Sequence, residues 1–111
     1  MSEDKKINIK EFAAVEMKVG TITEVVAVPN TDKLLKLQVD FGDDTRQIVS
    51  GIADRVSPDY LIGKQCPFVT NLEPRTIRGV ESNGMIMAVG TDNSFSLLHP
   101  HQSVENGATI R

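Results

Sequence analysis

From residue 35 onward the chain alternates: Leu35, Leu37, Val39 and Phe41 are apolar, and Lys36, Gln38 and Asp40 between them are polar. A period of two predicts a strand with one face buried and one in solvent. Gly42-Asp43-Asp44 reads as a hairpin connection, with Arg46 to Val49 as the returning partner. Upstream, β-branched residues crowd Met17 to Val28, which predicts a long strand, and Gly20 inside it predicts a bend or bulge. The cluster Pro29-Asn30-Thr31-Asp32 is a turn.

Helical signals are few. In residues 8–14, Asn8 is a candidate cap and Glu11 stands three positions on, as in a capping box. A helix that short is unstable alone, so it is expected to dock. Ser57-Pro58-Asp59 opens a second short helix with Tyr60 and Leu61, ended by Gly63. Further apolar stretches run over Pro67–Leu72, Asn83–Val89 and Ser94–Leu98. Between them, Arg75 and Arg78 flank Thr76-Ile77 in a segment that Pro74 and Gly79 are expected to keep irregular. The pattern predicts an all-β protein, a five-stranded OB-fold barrel with short helices, because a long glycine-bent first strand followed by a tight hairpin is a barrel corner. A sandwich is the rival.

At 111 residues, one domain spanning 1–111 is expected. The lone Cys66 excludes a disulfide framework and fits a reducing compartment, and apolar neighbours mark it as inert core. With neither an apolar leader core nor a span-length apolar run, the expected location is cytoplasmic, away from membranes. The net charge is −3, with 8 basic and 11 acidic residues up to Asp59 and 4 of each beyond it. A global basic field is therefore excluded, and any nucleic-acid site has to be local.

No nucleophile–base pair, glycine-rich phosphate loop or zinc spacing appears, so neither catalysis nor a cofactor is expected. His99-Pro100-His101 lacks the partners of a metal site and reads as a solvated loop. Local cations stand out instead: Lys33 and Lys36 at the start of the alternating strand, Arg46 on its partner, and the Arg75/Arg78 pair. On an OB barrel the second and third strands and the adjoining loops form the oligonucleotide groove, where these five are expected to converge. The bland reading is ordinary surface charge, paired with Asp32, Glu73 and Glu81 nearby. Exposed aromatics for stacking successive bases are scarce, since Phe12, Phe41 and Phe68 sit in apolar patterns that predict burial. A folded RNA read by shape and phosphates suits the set better.

Residues 12–22 (FAAVEMKVGTI), 28–42 (VPNTDKLLKLQVDFG), 46–53 (RQIVSGIA), 71–88 (NLEPRTIRGVESNGMIMA) and 106–111 (NGATIR) resemble the free-standing tRNA-binding domain family. That family includes the C-terminal domain of bacterial methionyl-tRNA synthetases, its separate beta-subunit forms and the auxiliary cytokine-like proteins. The resemblance implies a cytoplasmic OB-fold module that binds tRNA by shape and phosphate contacts and delivers it to an aminoacyl-tRNA synthetase. It also implies a homodimer whose N- and C-terminal extensions form the interface. The tRNA-contacting positions it implies are Lys33, Lys36, Arg46, Asn71, Arg75, Arg78, Ser82 and Met85, with Met85 equally placed to be core. Many members carry Lys at or near Glu73, so a weaker grip is implied here. The rival within the resemblance is a dimeric peptide-binding secretion chaperone, whose sequences differ at DKLLKL and VSGIA.

Overall fold

The computed structural model describes residues 5–111; Glu3 and Asp4 of the acidic first half lie outside it. Helix α1 (Ile9–Ala13) begins with the expected reciprocal cap, the Asn8 side chain accepting from Glu11 N at 2.8 Å and the Glu11 carboxylate from Asn8 N at 2.9 Å. Against expectation it buries nothing: Ile9 is 77% exposed and Phe12 44%. Phe12 is thus an apolar side chain left outside the core.

Strand β1 (Met17–Ala27) is the spine of the protein. Its first half pairs with β4 (Gln65–Val69) and its second half with β2 (Leu35–Asp40), Thr21 facing Gln65 on one side and Asp40 on the other. The bulge lies between Ile22 and Glu24 rather than at Gly20. Gly20 answers a different need: a Cβ there would stand 2.6 Å from Val39 Cγ1 and 2.7 Å from Phe41 Cε1, so the inner face closes only over a bare backbone.

β2 continues into β3 (Thr45–Ser50), and β7 (Met85–Ile86) adds to β4, giving the antiparallel order β3-β2-β1-β4-β7. This curled five-stranded sheet is OB-like. Its concave side holds Ile22, Leu37, Val39, Ile48 and Phe68, all fully buried, with Phe41 and Phe68 edge to face at 5.4 Å. The alternation over residues 35–41 therefore translates directly into a core face. Helix α2 (Pro58–Leu61), capped by Ser57, closes one end by burying Leu61. Cys66 is buried in the same core, and burial pushes its thiol up to about 11 against the opposing pull of Lys64.

Two expectations shift. The stretch 67–72 forms β4 two residues earlier, and 83–89 divides into β7 and β8 (Ala88–Gly90), the latter pairing with β9 (Phe95–Leu97) as a separate hairpin. The C-terminal residues lie along β1, through Val19 N to Ala108 O at 3.0 Å and Ile110 N to Met17 O at 2.9 Å. They form one wall of an apolar groove of about 480 Å3 whose other wall is α1 with Ile9 and Phe12.

Candidate nucleic-acid interface

The Pro74–Gly79 segment is regular, contrary to the sequence expectation. β5 (Arg75–Ile77) and β6 (Val80–Ser82) form a hairpin in which Ile77 faces Val80 and Arg78-Gly79 make a two-residue turn. Both turn residues have positive φ, 52° at Arg78 and 82° at Gly79. That is the twist-matched turn of tight hairpins, which ordinarily takes Asn or Gly at its first central position. Arginine there holds a backbone conformation that costs an L-residue roughly 1 kcal/mol. The result is a guanidinium carried outward at the apex of a stiff ribbon.

This ribbon seals the open edge of β3. Asn83 N donates to Gln47 O at 2.8 Å, Gln47 Nε2 to Glu81 O at 2.8 Å, and Val49 N to the Ser82 hydroxyl at 2.9 Å. Ser82 is only 2% exposed, and its hydroxyl also donates to Gly84 O. The polar contact expected of it is thus spent on the barrel seam, where it satisfies a buried backbone donor.

Register separates the expected cations. Lys36 pairs with Val49 on the face of β2 away from the core, one strand from the base of the ribbon. At its tip, Arg78 and Lys33 meet across a hollow of about 330 Å3 lined also by Thr31, Asp32, Leu34 and Ile77. Arg75 is exposed on β5 opposite Ser82. None of Lys33, Lys36, Arg75 or Arg78 makes an ion pair among the described residues, so the carboxylates expected to neutralise them do not.

Arg46 is different. It faces Val39, an inner residue, and so lies on the core side of the sheet. There its Nη1 donates to Thr70 O, its Nε meets Asp44 at 3.1 Å, and its guanidinium lies 5.6 Å from the Phe41 ring centroid. It caps the barrel mouth instead of joining Lys36. Asn71 is also internally engaged, accepting from Glu16 N at 2.8 Å and donating to Ala14 O at 2.6 Å, which ties the α1–β1 connection to β4. Met85, opposite Val69, is 42% exposed, while the adjacent Ile86 enters the core. Leu34 and Ile77, the apolar floor between Lys33 and Arg78, were not foreseen; each borders a cation in sequence, the one signal that marked them.

A small OB-like barrel carrying unneutralised cations along an exposed ribbon is the build of a nucleic-acid-binding module. Residues 17–109 match the family described as "Putative tRNA binding domain", and the chain belongs to that family. It is 55% identical over 106 residues to a methionine–tRNA ligase of Methanospirillum hungatei, a match that takes in 96% of this chain and 16% of that protein. The chain therefore spans about a sixth of the length of that curated relative. Among solved structures, a MetRS-related protein from Pyrococcus horikoshii superposes with a TM-score of 0.92 at 39% identity, over 96% of this chain and 99% of that one. The chaperone CsaA from Bacillus anthracis gives 0.85 at 28% identity, over 96% and 99%.

Proposed function

We propose that the chain is a non-catalytic module that grips folded tRNA through phosphate contacts and serves methionyl-tRNA synthetase, as a beta-subunit-like partner or a related carrier. The observation that carries this reading is the group of cations on and beside the β5–β6 ribbon, free of carboxylate partners in an acidic chain. Lys33, Lys36, Arg75 and Arg78 supply the phosphate contacts, with Met85 as an adaptable apolar neighbour. Arg46, Asn71 and Ser82 hold the surface in shape from behind. In this reading the protein works where tRNA does, in the cytoplasm. No helix among the described residues is long and apolar enough to cross a membrane.

The chain acts as a homodimer in this reading. Support comes from the groove between α1 and the C-terminal residues, where Ile9 and Phe12 on a helix too short to hold itself, and Val15 just beyond it, stay exposed. A second copy seated there would bury them and place two ribbons on one tRNA.

The CsaA likeness and the same apolar groove favour a second reading, a peptide-binding dimer. Filter binding of folded tRNA, unfolded tRNA and an unfolded peptide at two salt concentrations separates the two. Retention of folded tRNA that falls steeply with salt supports the first; salt-indifferent retention of peptide alone supports the second.

A further inference from the structure

Away from the ribbon, the fold gathers Arg55, Tyr60, Lys64, Phe95 and His99, which the sequence scatters. Tyr60, on α2, is 45% exposed, and its hydroxyl lies 3.1 Å from His99 Nε2. On the other side of that ring, Nδ1 lies 2.7 Å from Gln65 O. A carbonyl only accepts, so Nδ1 carries the proton, and in the neutral ring Nε2 accepts from the Tyr60 hydroxyl. The tyrosine ring is thereby held in one orientation.

Cations lie against the aromatic faces. Lys64 Nζ stands 4.4 Å from the Tyr60 ring centroid and the Arg55 guanidinium 5.8 Å from that of Phe95. Arg55 Nη1 donates to Thr91 O at 3.3 Å, while its Nε and Nη2 have no partner among the described residues. Arg55, Val56, Tyr60, Phe95, Leu97 and His99 line a hollow of about 320 Å3, at the lower end of the roughly 300–1,000 Å3 of ligand clefts. No carboxylate lines it, and Arg55 is not ion-paired among the described residues, although Asp54 precedes it in sequence; Lys64, against the Tyr60 ring, lies outside the lining.

We propose that this hollow binds one unstacked nucleotide, its base on Tyr60 and the Val56–Leu97 wall and its phosphate on Arg55. An anion alone would leave the oriented aromatic unused, and an apolar peptide would leave the Arg55 guanidinium unpaired. A planar ring joined to a phosphate satisfies both. The nucleotide is free in solution or is an unpaired residue of a bound RNA; the second source rests on the tRNA reading above.

Tyr60 is the only tyrosine and the chain has no tryptophan, so intrinsic emission reports on this hollow alone. The full chain is titrated with adenosine monophosphate, with ribose 5-phosphate, and with tRNA bearing or lacking its unpaired 3′ nucleotides, against a free tyrosine amide control. Saturable quenching by adenosine monophosphate and none by ribose 5-phosphate are expected. Arg55→Gln should raise the nucleotide Kd roughly tenfold and Tyr60→Ala at least as much by calorimetry, with Tyr60→Phe retaining affinity. Quenching by intact tRNA and not by the trimmed form identifies RNA as the source; nucleotide quenching alone identifies the free form. Absence of quenching by adenosine monophosphate, or a Kd indifferent to Arg55→Gln, overturns the proposal. Arg78→Glu keeps the two ideas distinguishable, since it should weaken tRNA and leave the mononucleotide Kd unchanged.

Discussion

Arg46 and Arg78 carry the same side chain, lie near the same sheet edge, and read alike in the sequence as forks for phosphate. The fold gives them opposite employment. Arg46 sits at an inner register position, donates to the Thr70 carbonyl and packs over Phe41, so its charge closes the barrel mouth. Arg78 sits at the apex of a two-residue turn with no ion pair among the described residues and a positive φ. A cation's availability is decided by backbone register before it is decided by charge. A one-residue slip in the β2–β3 pairing would exchange the faces and turn Arg46 outward.

Four substitutions press on this contrast. Arg46→Ala should lower the unfolding free energy by roughly 2–3 kcal/mol, read from a urea midpoint, because it removes a charged donor from the Thr70 carbonyl and a packed stem from Phe41. The half-solvated Asp44 contributes little to that figure. Ser82→Ala should cost about 2 kcal/mol in the same experiment, since the Val49 N–H loses its partner at a buried seam. Arg78→Glu should leave the midpoint within about 0.5 kcal/mol of the parent and weaken tRNA about tenfold, about 1.4 kcal/mol, equally across tRNA species because phosphate contacts carry no sequence information. Arg78→Asn should stabilise the fold by about 0.5–1 kcal/mol while losing the same contact, because Asn suits the positive-φ position that Arg occupies under strain. An Arg78→Asn protein no more stable than its parent would remove strain from the description of the ribbon.

Legibility in the sequence followed the same division. The alternation from Leu35 to Phe41, the Asn8–Glu11 cap and the Ser57-Pro58 helix start are local patterns, and each appears where the pattern put it. The ribbon was missed because its strands are three residues long and Arg-Gly is not a usual dipeptide for its turn. The side that Arg46 takes is not legible in the sequence because it depends on loop length: Asp40 pairs with Thr45 across a four-residue connection, and only that register sets Arg46 opposite Val39, apart from Lys36. The apolar neighbours of Phe12 predict burial, yet none of the described residues covers α1 enough to bury a side chain of it. The cations Lys33, Lys36, Arg75 and Arg78 were legible as residues. Their freedom from carboxylates was not, since Asp32, Glu73 and Glu81 stand beside them in sequence and pair with none of them in the fold.

The most direct test of the ribbon as a phosphate grip is the dependence of tRNA affinity on salt, measured for the parent chain and for Arg78→Glu. The parent should show log affinity falling linearly with log salt, by about 0.7–0.9 per phosphate neutralised, and Arg78→Glu should lower that slope by about one. Equal slopes for the two proteins would contradict the account, because Arg78 would then hold no phosphate.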